Sequence, residues 1–452
     1  MKSRIHPSRL IFLSFAGIIF SGMCLLMLPA AGNGGALTFL EALFTATSAT
    51  CVTGLSVIDI GTRLTRFGQL VVLILIQIGG LGIITFSTFF IYLLSRRLSI
   101  RNREILLQSL SQHPVKDMGK LLLTVFQVTG VIEVLGALCL WLRLRQEFPD
   151  LQAFYYACFH SVSAFCNAGF SLFPDSLIRY CDDIVINMTI MALIVLGGIG
   201  FIVLFDIHRV WQGRRHNMPL KLSYHSQIVL FTSGVLIAVG AVVLGCCEWY
   251  NTLDHCSVQA RILAPLFQAV TARTCGFNTL DIGRLTDASL VILTVLMFIG
   301  ASPASTGGGI KTSTVAVLLA MVVANLRGHE DINLKNRRIP REIVFRAVSV
   351  AFCSAVVIGI ATLVLVLCEN GAAAHQQSHH AFIELLFEVV SAFGTVGLST
   401  GITSSLHDFS KLILVLVMYI GRVGPLLLAI ELAGGGGRLP YRLPEEENIL
   451  IG

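Results

Sequence analysis

Charge is scarce in this sequence. Asp, Glu, Lys and Arg supply 13% of the 452 residues while apolar side chains supply 55%, and a soluble domain normally carries about a quarter charged residues. The deficit excludes a water-dissolved fold and makes the bilayer the solvent. Signatures of catalysis and cofactor binding are missing too. The 12 cysteines lack metal-ligand spacing, and Cys24, Cys139 and Cys353 lie inside apolar runs where a thiol is a small filler, so neither a disulfide framework nor a metal site is expected. No basic patch with interleaved aromatics stands on a soluble module, so nucleic acid is not an expected partner. His160, Glu388 and Glu133 each stand alone within apolar surroundings, which gives no catalytic pair and argues against an enzyme; an isolated intramembrane charge is more often a packed or paired residue. Gly79-Gly80-Leu81-Gly82 sits inside an apolar run rather than after a strand, and Gly307 to Lys311 lacks P-loop spacing. The chain itself is therefore expected to bind no nucleotide.

What the sequence does contain is length in its apolar runs. Eight are long enough to cross a hydrocarbon core at about 20 residues each: Leu10 to Leu28, Leu70 to Leu94, Leu121 to Leu142, Ile184 to Phe205, Ile228 to Cys246, Leu290 to Ala324, Val344 to Leu367 and Leu412 to Ile430. The sixth is interrupted. The first exceeds a secretory h-region and ends without an A-x-A-like site, so it is expected to stay in the mature chain. Lys and Arg collect in alternate loops: Arg96 to Lys120, Arg209 to Lys221 and Arg327 to Arg346, with Lys2, Arg4 and Arg9 at the start. The positive-inside rule puts those loops and both termini in the cytoplasm, and the net charge of +6 is topological.

Between each odd run and the next even run one element recurs, F-x-x-x-[S/T]-A followed by glycine. Its copies are Phe44, Ser48, Ala49 and Gly54; Phe159, Ser163, Ala164 and Gly169; Phe267, Thr271, Ala272 and Gly276; Phe387, Ser391, Ala392 and Gly397. Glycine follows alanine by five residues in three copies and by four in the third. The element is too short to cross about 30 Å of hydrocarbon, so it must dip in and return, and irregular backbone at that depth needs a protein-lined or water-filled interior. A central pore supplies one. The expected fold is thus an all-α polytopic membrane protein of four tandem M1-P-M2 repeats, each a span, a re-entrant pore helix and a span. Their boundaries are 1–112, 113–223, 224–341 and 342–452.

The loops at these glycines are candidate filters: Val52-Thr53-Gly54, Asn167-Ala168-Gly169, Thr274-Cys275-Gly276 and Thr395-Val396-Gly397. Glycine frees the backbone to turn successive carbonyls toward one axis, where they replace the hydration shell of a potassium ion. No Asp or Glu stands in any of the four loops, which speaks against a divalent-cation filter. Arg273, just before the third loop, either tunes ion access or anchors its helix through an acidic partner.

A second repeat aligns the even runs at Ile78-Gly79-Gly80-Leu81-Gly82, Leu196-Gly197-Gly198-Ile199-Gly200, Ile299-Gly300-Ala301-Ser302-Pro303 and Ile420-Gly421-Arg422-Val423-Gly424. Close helix packing accounts for its glycines. It does not account for Arg422. Residues 301–314 combine Pro303 with Gly307, Gly308 and Gly309, which break a helix. This stretch, with Lys311 in it and Arg422 level with its start, is the candidate gate; the competing role for Arg422 is a folding ion pair with Glu431 or another acid.

Together these residues resemble the Trk/Ktr/HKT superfamily of potassium transporters, over essentially the whole chain. The four filter strings carry the likeness, as does Ser305-Thr306-Gly307-Gly308-Gly309-Ile310-Lys311-Thr312. Eight spans with no leading pair are closest to the KtrB-type membrane subunit of the bacterial Ktr system. The resemblance implies potassium held at Gly54, Gly169, Gly276 and Gly397, with glycine in all four positions associated with preference over sodium. It also implies a homodimer with one pore per subunit, a bacterial plasma-membrane location, and a separate cytosolic KtrA-type ring that binds ATP or ADP. The rival reading is an alternating-access potassium/sodium symporter, whose repeats are commonly few, large and inverted.

Overall fold

The structure is a computed structural model. It describes residues 7–82, 118–215, 217, 220–254, 256–329, 331–335, 337–371 and 382–424. The basic stretch 96–116, Glu431 and the tail 438–452 lie outside them.

The regular secondary structure of the described chain is helical apart from one hairpin of two-residue strands, β1 (Asn333–Leu334) with β2 (Arg337–Arg338). In order the helices are α1 (Pro7–Leu26), α2 (Phe39–Cys51), the single turn α3 (Ile60–Arg63), α4 (Arg66–Leu81), α5 (Met118–Leu144), α6 (Asp150–Phe165), α7 (Ile184–Gly198), α8 (Phe201–Arg215), α9 (Tyr224–Glu248), α10 (Val258–Thr271), α11 (Asp287–Phe298), α12 (Thr312–Leu326), α13 (Arg341–Asn370), α14 (Phe382–Gly394) and α15 (Asp408–Val423). Starts are written in the sequence: Thr38 caps α2 through a reciprocal box with Glu41, and Thr65, Asp183, Ser223, Ser257 and Thr286 cap α4, α7, α9, α10 and α11.

The short helices α2, α6 and α14 each pack between two flanking helices, α1 and α4, α5 and α7, and α13 and α15, while α10 packs on α9 before it. The four groups are joined by one further kind of contact. α4 packs on α6, α7 on α10, α11 on α14, and α15 returns to α2, so the series closes on itself. The repeated phenylalanines, Phe44, Phe159, Phe267 and Phe387, are fully buried in these packings. Long apolar side chains instead face outward on α5, α9 and α13, among them Val134, Val242 and Phe352. A water-exposed apolar belt of that extent has no place on a soluble monomer. The molecule is a helical membrane protein.

Two of the eight expected spans are not continuous helices, and others are shorter than read. Leu123–Leu144, Tyr224–Glu248 and Arg341–Asn370 are long and apolar enough to cross a bilayer alone. The expected run from Ile184 to Phe205 stops at Gly198 and resumes at Phe201 after a 99° bend. The cause is distant in sequence. Gly200 takes φ +94° and lies against the Pro303 carbonyl, where an added Cβ would fall 2.5 Å from the oxygen, and Phe201 N donates to Ala304 O at 2.8 Å. The sixth run is split into α11 and α12 by residues 299–311, so the expected 301–314 break overlaps the first turn of α12. The apolar helices Phe12–Leu26 and Arg66–Leu81 are shorter than a full span, and the remainder of the second and eighth runs lies outside the described residues.

Candidate functional site

At the C-terminal end of each short helix the chain repeats one backbone figure. Val52 and Gly54 take φ of 59° and 94°, Asn167 and Gly169 60° and 67°, Thr274 and Gly276 79° and 92°, Thr395 and Gly397 50° and 92°. The residue between is not left-handed in any copy. A segment that alternates in hand presents successive backbone polar groups to one side. The left-handed position also closes the helix. In three copies the N–H of the middle residue reaches back five residues, Thr53 to Ser48 O, Ala168 to Ser163 O and Val396 to Ser391 O; in the third, Cys275 reaches back four, to Thr271 O. That single difference absorbs the shorter spacing seen in the sequence. The hydroxyls of Ser48 and Ser391 then accept from Gly54 N and Gly397 N at 3.1 Å, and Ser163 Oγ donates to Phe170 O at 2.9 Å.

The four figures form a ring. A Cβ added to Gly54 would lie 2.4 Å from Ala168 O, on Gly169 2.1 Å from Cys275 O, on Gly276 2.3 Å from Val396 O, and on Gly397 2.2 Å from Thr53 O. Every glycine abuts the carbonyl before the next glycine, in one rotational sense. No side chain fits there without moving backbone, and L residues also disfavour that φ.

Outside the ring lies a cavity of about 270 Å³, lined by all four glycines and by hydroxyls that include Ser56, Ser171 and Ser399. Asp59 is the carboxylate on that lining. Its oxygens accept from Gly61 N at 2.9 Å and Thr62 Oγ1 at 2.8 Å. Sequence reasoning missed Asp59, although a repeat was there to find: Asp59-Ile60-Gly61-Thr62-Arg63-Leu64-Thr65 matches Asp281-Ile282-Gly283-Arg284-Leu285-Thr286, each Asp capping a helical turn.

His160 and Glu388, read as solitary, have partners on this outer side. Both follow the repeated phenylalanine and brace the segment after the glycine. His160 Nε2 meets Ser171 Oγ at 3.0 Å and Nδ1 meets Tyr156 O at 2.8 Å; Glu388 accepts from Ser399 Oγ and from Thr403 Oγ1 at 3.0 Å. Gln268, at the same position of α10, can accept from Thr279 N and Leu280 N at 3.2 Å. Glu133 is not alone either, since Gln77 Nε2 donates to its carboxylate at 3.1 and 3.3 Å. Arg273 is buried, and its Nε has no hydrogen-bond partner. The acidic anchor expected for it is absent from the ion pairs among the described residues.

Beneath the ring, residues 299–311 fill the axis. In three of the four figures the first residue points its side chain toward them or toward its neighbour: a Cβ on Gly307 would strike Thr274 Oγ1 at 2.0 Å, Thr395 Oγ1 accepts from Gly308 N at 3.0 Å, and the Asn167 amide accepts from Thr274 Oγ1 at 3.2 Å. Lys311 Nζ donates to Gly307 O at 2.7 Å and Gly308 O at 3.1 Å. The Arg422 guanidinium donates to Thr306 O and to Gly79 O, tying the segment to α4 on the far side. The carbonyls freed by the helix break are thus partly satisfied by two cations. The glycines above, Gly79, Gly197 and Gly421, lie on carbonyls of Thr50, Phe165 and Phe393 at the ends of the short helices, with added Cβ atoms falling within about 2 Å of each oxygen.

In this helical membrane protein, four glycine loops form a ring between a hydroxyl-lined cavity and a segment held by Lys311 and Arg422. The Cation transport protein family, TrkH, matches residues 13–433, and the chain belongs to that family of ion transporters. It is 38% identical to the Ktr system potassium uptake protein B of Bacillus subtilis over 95% of this chain and 94% of that one. It is 34% identical to the potassium/sodium uptake protein NtpJ of Enterococcus hirae, over 100% and 98%. The crystal structure of the potassium transporter TrkH from Vibrio parahaemolyticus superposes with a TM-score of 0.75, at 18% identity, over 95% of this chain and 86% of that one.

Proposed function

We propose that the chain carries out potassium uptake across the cell membrane through a channel-like pathway. The observation that supports it most is the closed ring in which each of four glycines abuts the next loop's carbonyl. Four such loops offer enough oxygens to replace a hydration shell, and carbonyl dipoles suit a monovalent ion better than a carboxylate cage does. In this reading the four helix groups are M1-P-M2 units, 1–112, 113–223, 224–341 and 342–452, with both termini cytoplasmic. The segment around Gly307 to Gly309, held by Lys311 and Arg422, is the gate. A separate cytosolic nucleotide-binding ring biases it, and two copies of the chain form a dimer with one pathway each. The relatives' names support potassium and a multi-component system. NtpJ, named for both potassium and sodium, keeps a symporter in view, but four loops of one rotational sense fit a single axial pathway better than two inverted halves.

Rubidium uptake by the purified protein in liposomes, with and without a KtrA-type ring, tests the proposal. A pore passes rubidium down its gradient without sodium. Uptake that requires a sodium gradient and saturates at carrier-like rates makes the chain a symporter instead.

A further inference from the structure

We infer that the pocket between α8 and the start of α9 binds an anionic phospholipid, and that this is a site distinct from the ion pathway. The 99° bend after α7 cannot leave both halves along the membrane normal. With α7 buried among the apolar packing helices, α8 runs near the plane of the membrane surface, the placement of an interfacial helix. Its residues suit that plane. Trp211 is half exposed, and the Arg215 guanidinium lies 3.8 Å from the centre of its ring, an aromatic and cation pairing typical of the headgroup level.

The pocket beside it encloses about 520 Å³. Ile207, Val210 and Leu222 form an apolar wall, and Trp211, Arg214 and Lys221 complete the rim. No carboxylate is on that lining. The nearby acid, Asp206, is already engaged by Arg209 Nη2 and by Ser223 N, both at 2.6 Å. Arg214 and Lys221 make no ion pair among the described residues, so two cations border an apolar slot that no described carboxylate lines. An acyl chain along the wall with a phosphate between the two cations satisfies both requirements at once. A soluble anion satisfies only the second. The assignment of this face to the anionic cytoplasmic leaflet rests on the orientation given under the proposed function; the binding chemistry does not.

Native mass spectrometry in detergent, with dioleoylphosphatidylglycerol or dioleoylphosphatidylcholine added, reads the site directly. Wild-type protein should take phosphatidylglycerol roughly tenfold more readily, and the Arg214→Gln/Lys221→Gln variant should lose that preference. The wild-type thermal midpoint should also rise with phosphatidylglycerol more than with phosphatidylcholine, a readout that needs no variant. Equal uptake of the two lipids by wild type, or a folded double variant that keeps the preference, overturns the site. So does a double variant with unchanged lipid preference that no longer co-elutes with a cytosolic ring, because the face is then a docking surface. Detergent defines no leaflet, so failure here leaves the orientation standing. Labelling of Leu220→Cys from one side of sealed vesicles tests that separately.

Discussion

The ring and the layer beneath it differ in how they use fourfold repetition. In the ring all four copies share one backbone figure, one rotational sense and one forbidden volume at glycine. In the layer below, the same four-part alignment has been broken: the first, second and fourth helices are followed by a left-handed glycine, Gly82, Gly200 and Gly424, while the third dissolves into residues 299–311 and the fourth carries Arg422 where the others have Gly80, Gly198 and Ala301. If the ring surrounds an ion, as proposed, retained symmetry is what even coordination requires. Where one segment must occupy the axis, only one copy can supply it. Under the proposed function, selectivity belongs to the upper layer and control of flux to the lower.

The largest effect should come from breaking the ring. In Gly276→Ser the Cβ meets Val396 O at 2.3 Å on a backbone at φ 92°, and the left-handed penalty alone is about 1 to 2 kcal/mol. Sodium competition against rubidium uptake should show selectivity reduced by a factor of about ten, since 1.4 kcal/mol is tenfold. Gly54→Ser should follow it. Wild-type selectivity in both variants rules out the ring as the filter.

The lower layer should answer in flux instead. Deleting Gly307 to Gly309 removes the residues held by Lys311 and Thr395, and uptake should rise several-fold while losing most of its dependence on a cytosolic ring. Arg422→Ala removes two charge-assisted hydrogen bonds, each worth roughly 1.5 to 3 kcal/mol, and should raise flux less than the deletion. A thermal midpoint that collapses with no gain in flux makes Arg422 a folding residue. Selectivity should stay unchanged in both, and a lower-layer variant that admits sodium would blur the division between the layers.

Bracing groups outside the ring should give the smallest changes. Glu388→Gln keeps one acceptor for Ser399 and Thr403 but weakens both bonds, so a loss of about 1 kcal/mol, seen as a few degrees in thermal midpoint, is expected with uptake retained. Ser391→Ala removes the acceptor for Gly397 N and should cost a similar amount, with a two- to threefold change in rubidium over sodium preference. A silent Ser391→Ala indicates that ring contact, not the hydroxyl, holds the glycine.

The ring was legible because its chemistry is local and repeated: four phenylalanines, four hydroxyls and four glycines at nearly fixed spacing carry the packing and the backbone figure together. Arg422 was legible as an exception within an alignment. Its second acceptor, Gly79 O, lies 343 residues away, and no spacing encodes that. The bend at Gly200 was misread for the same reason. Gly197 to Gly200 looks like a packing motif, and half of it is one, but the helix stops because Pro303 and Ala304 arrive there from another repeat. Asp59 carries no apolar-periodicity signal, and its string recurs at Asp281 one residue shorter, in a loop between apolar runs.

Among the described residues, a thirteen-residue break lies between Phe298 and Thr312, in one quarter of the chain. An assembly of four identical chains would have to put that insertion into every protomer, and four such segments cannot share one axis. A chain that carries its four quarters in tandem escapes this stoichiometry. Each quarter can be altered alone, so among the described residues the break, the Lys311 contacts and the Arg422 contacts belong to single quarters. The covalent fusion is what makes an asymmetric device compatible with a fourfold ring.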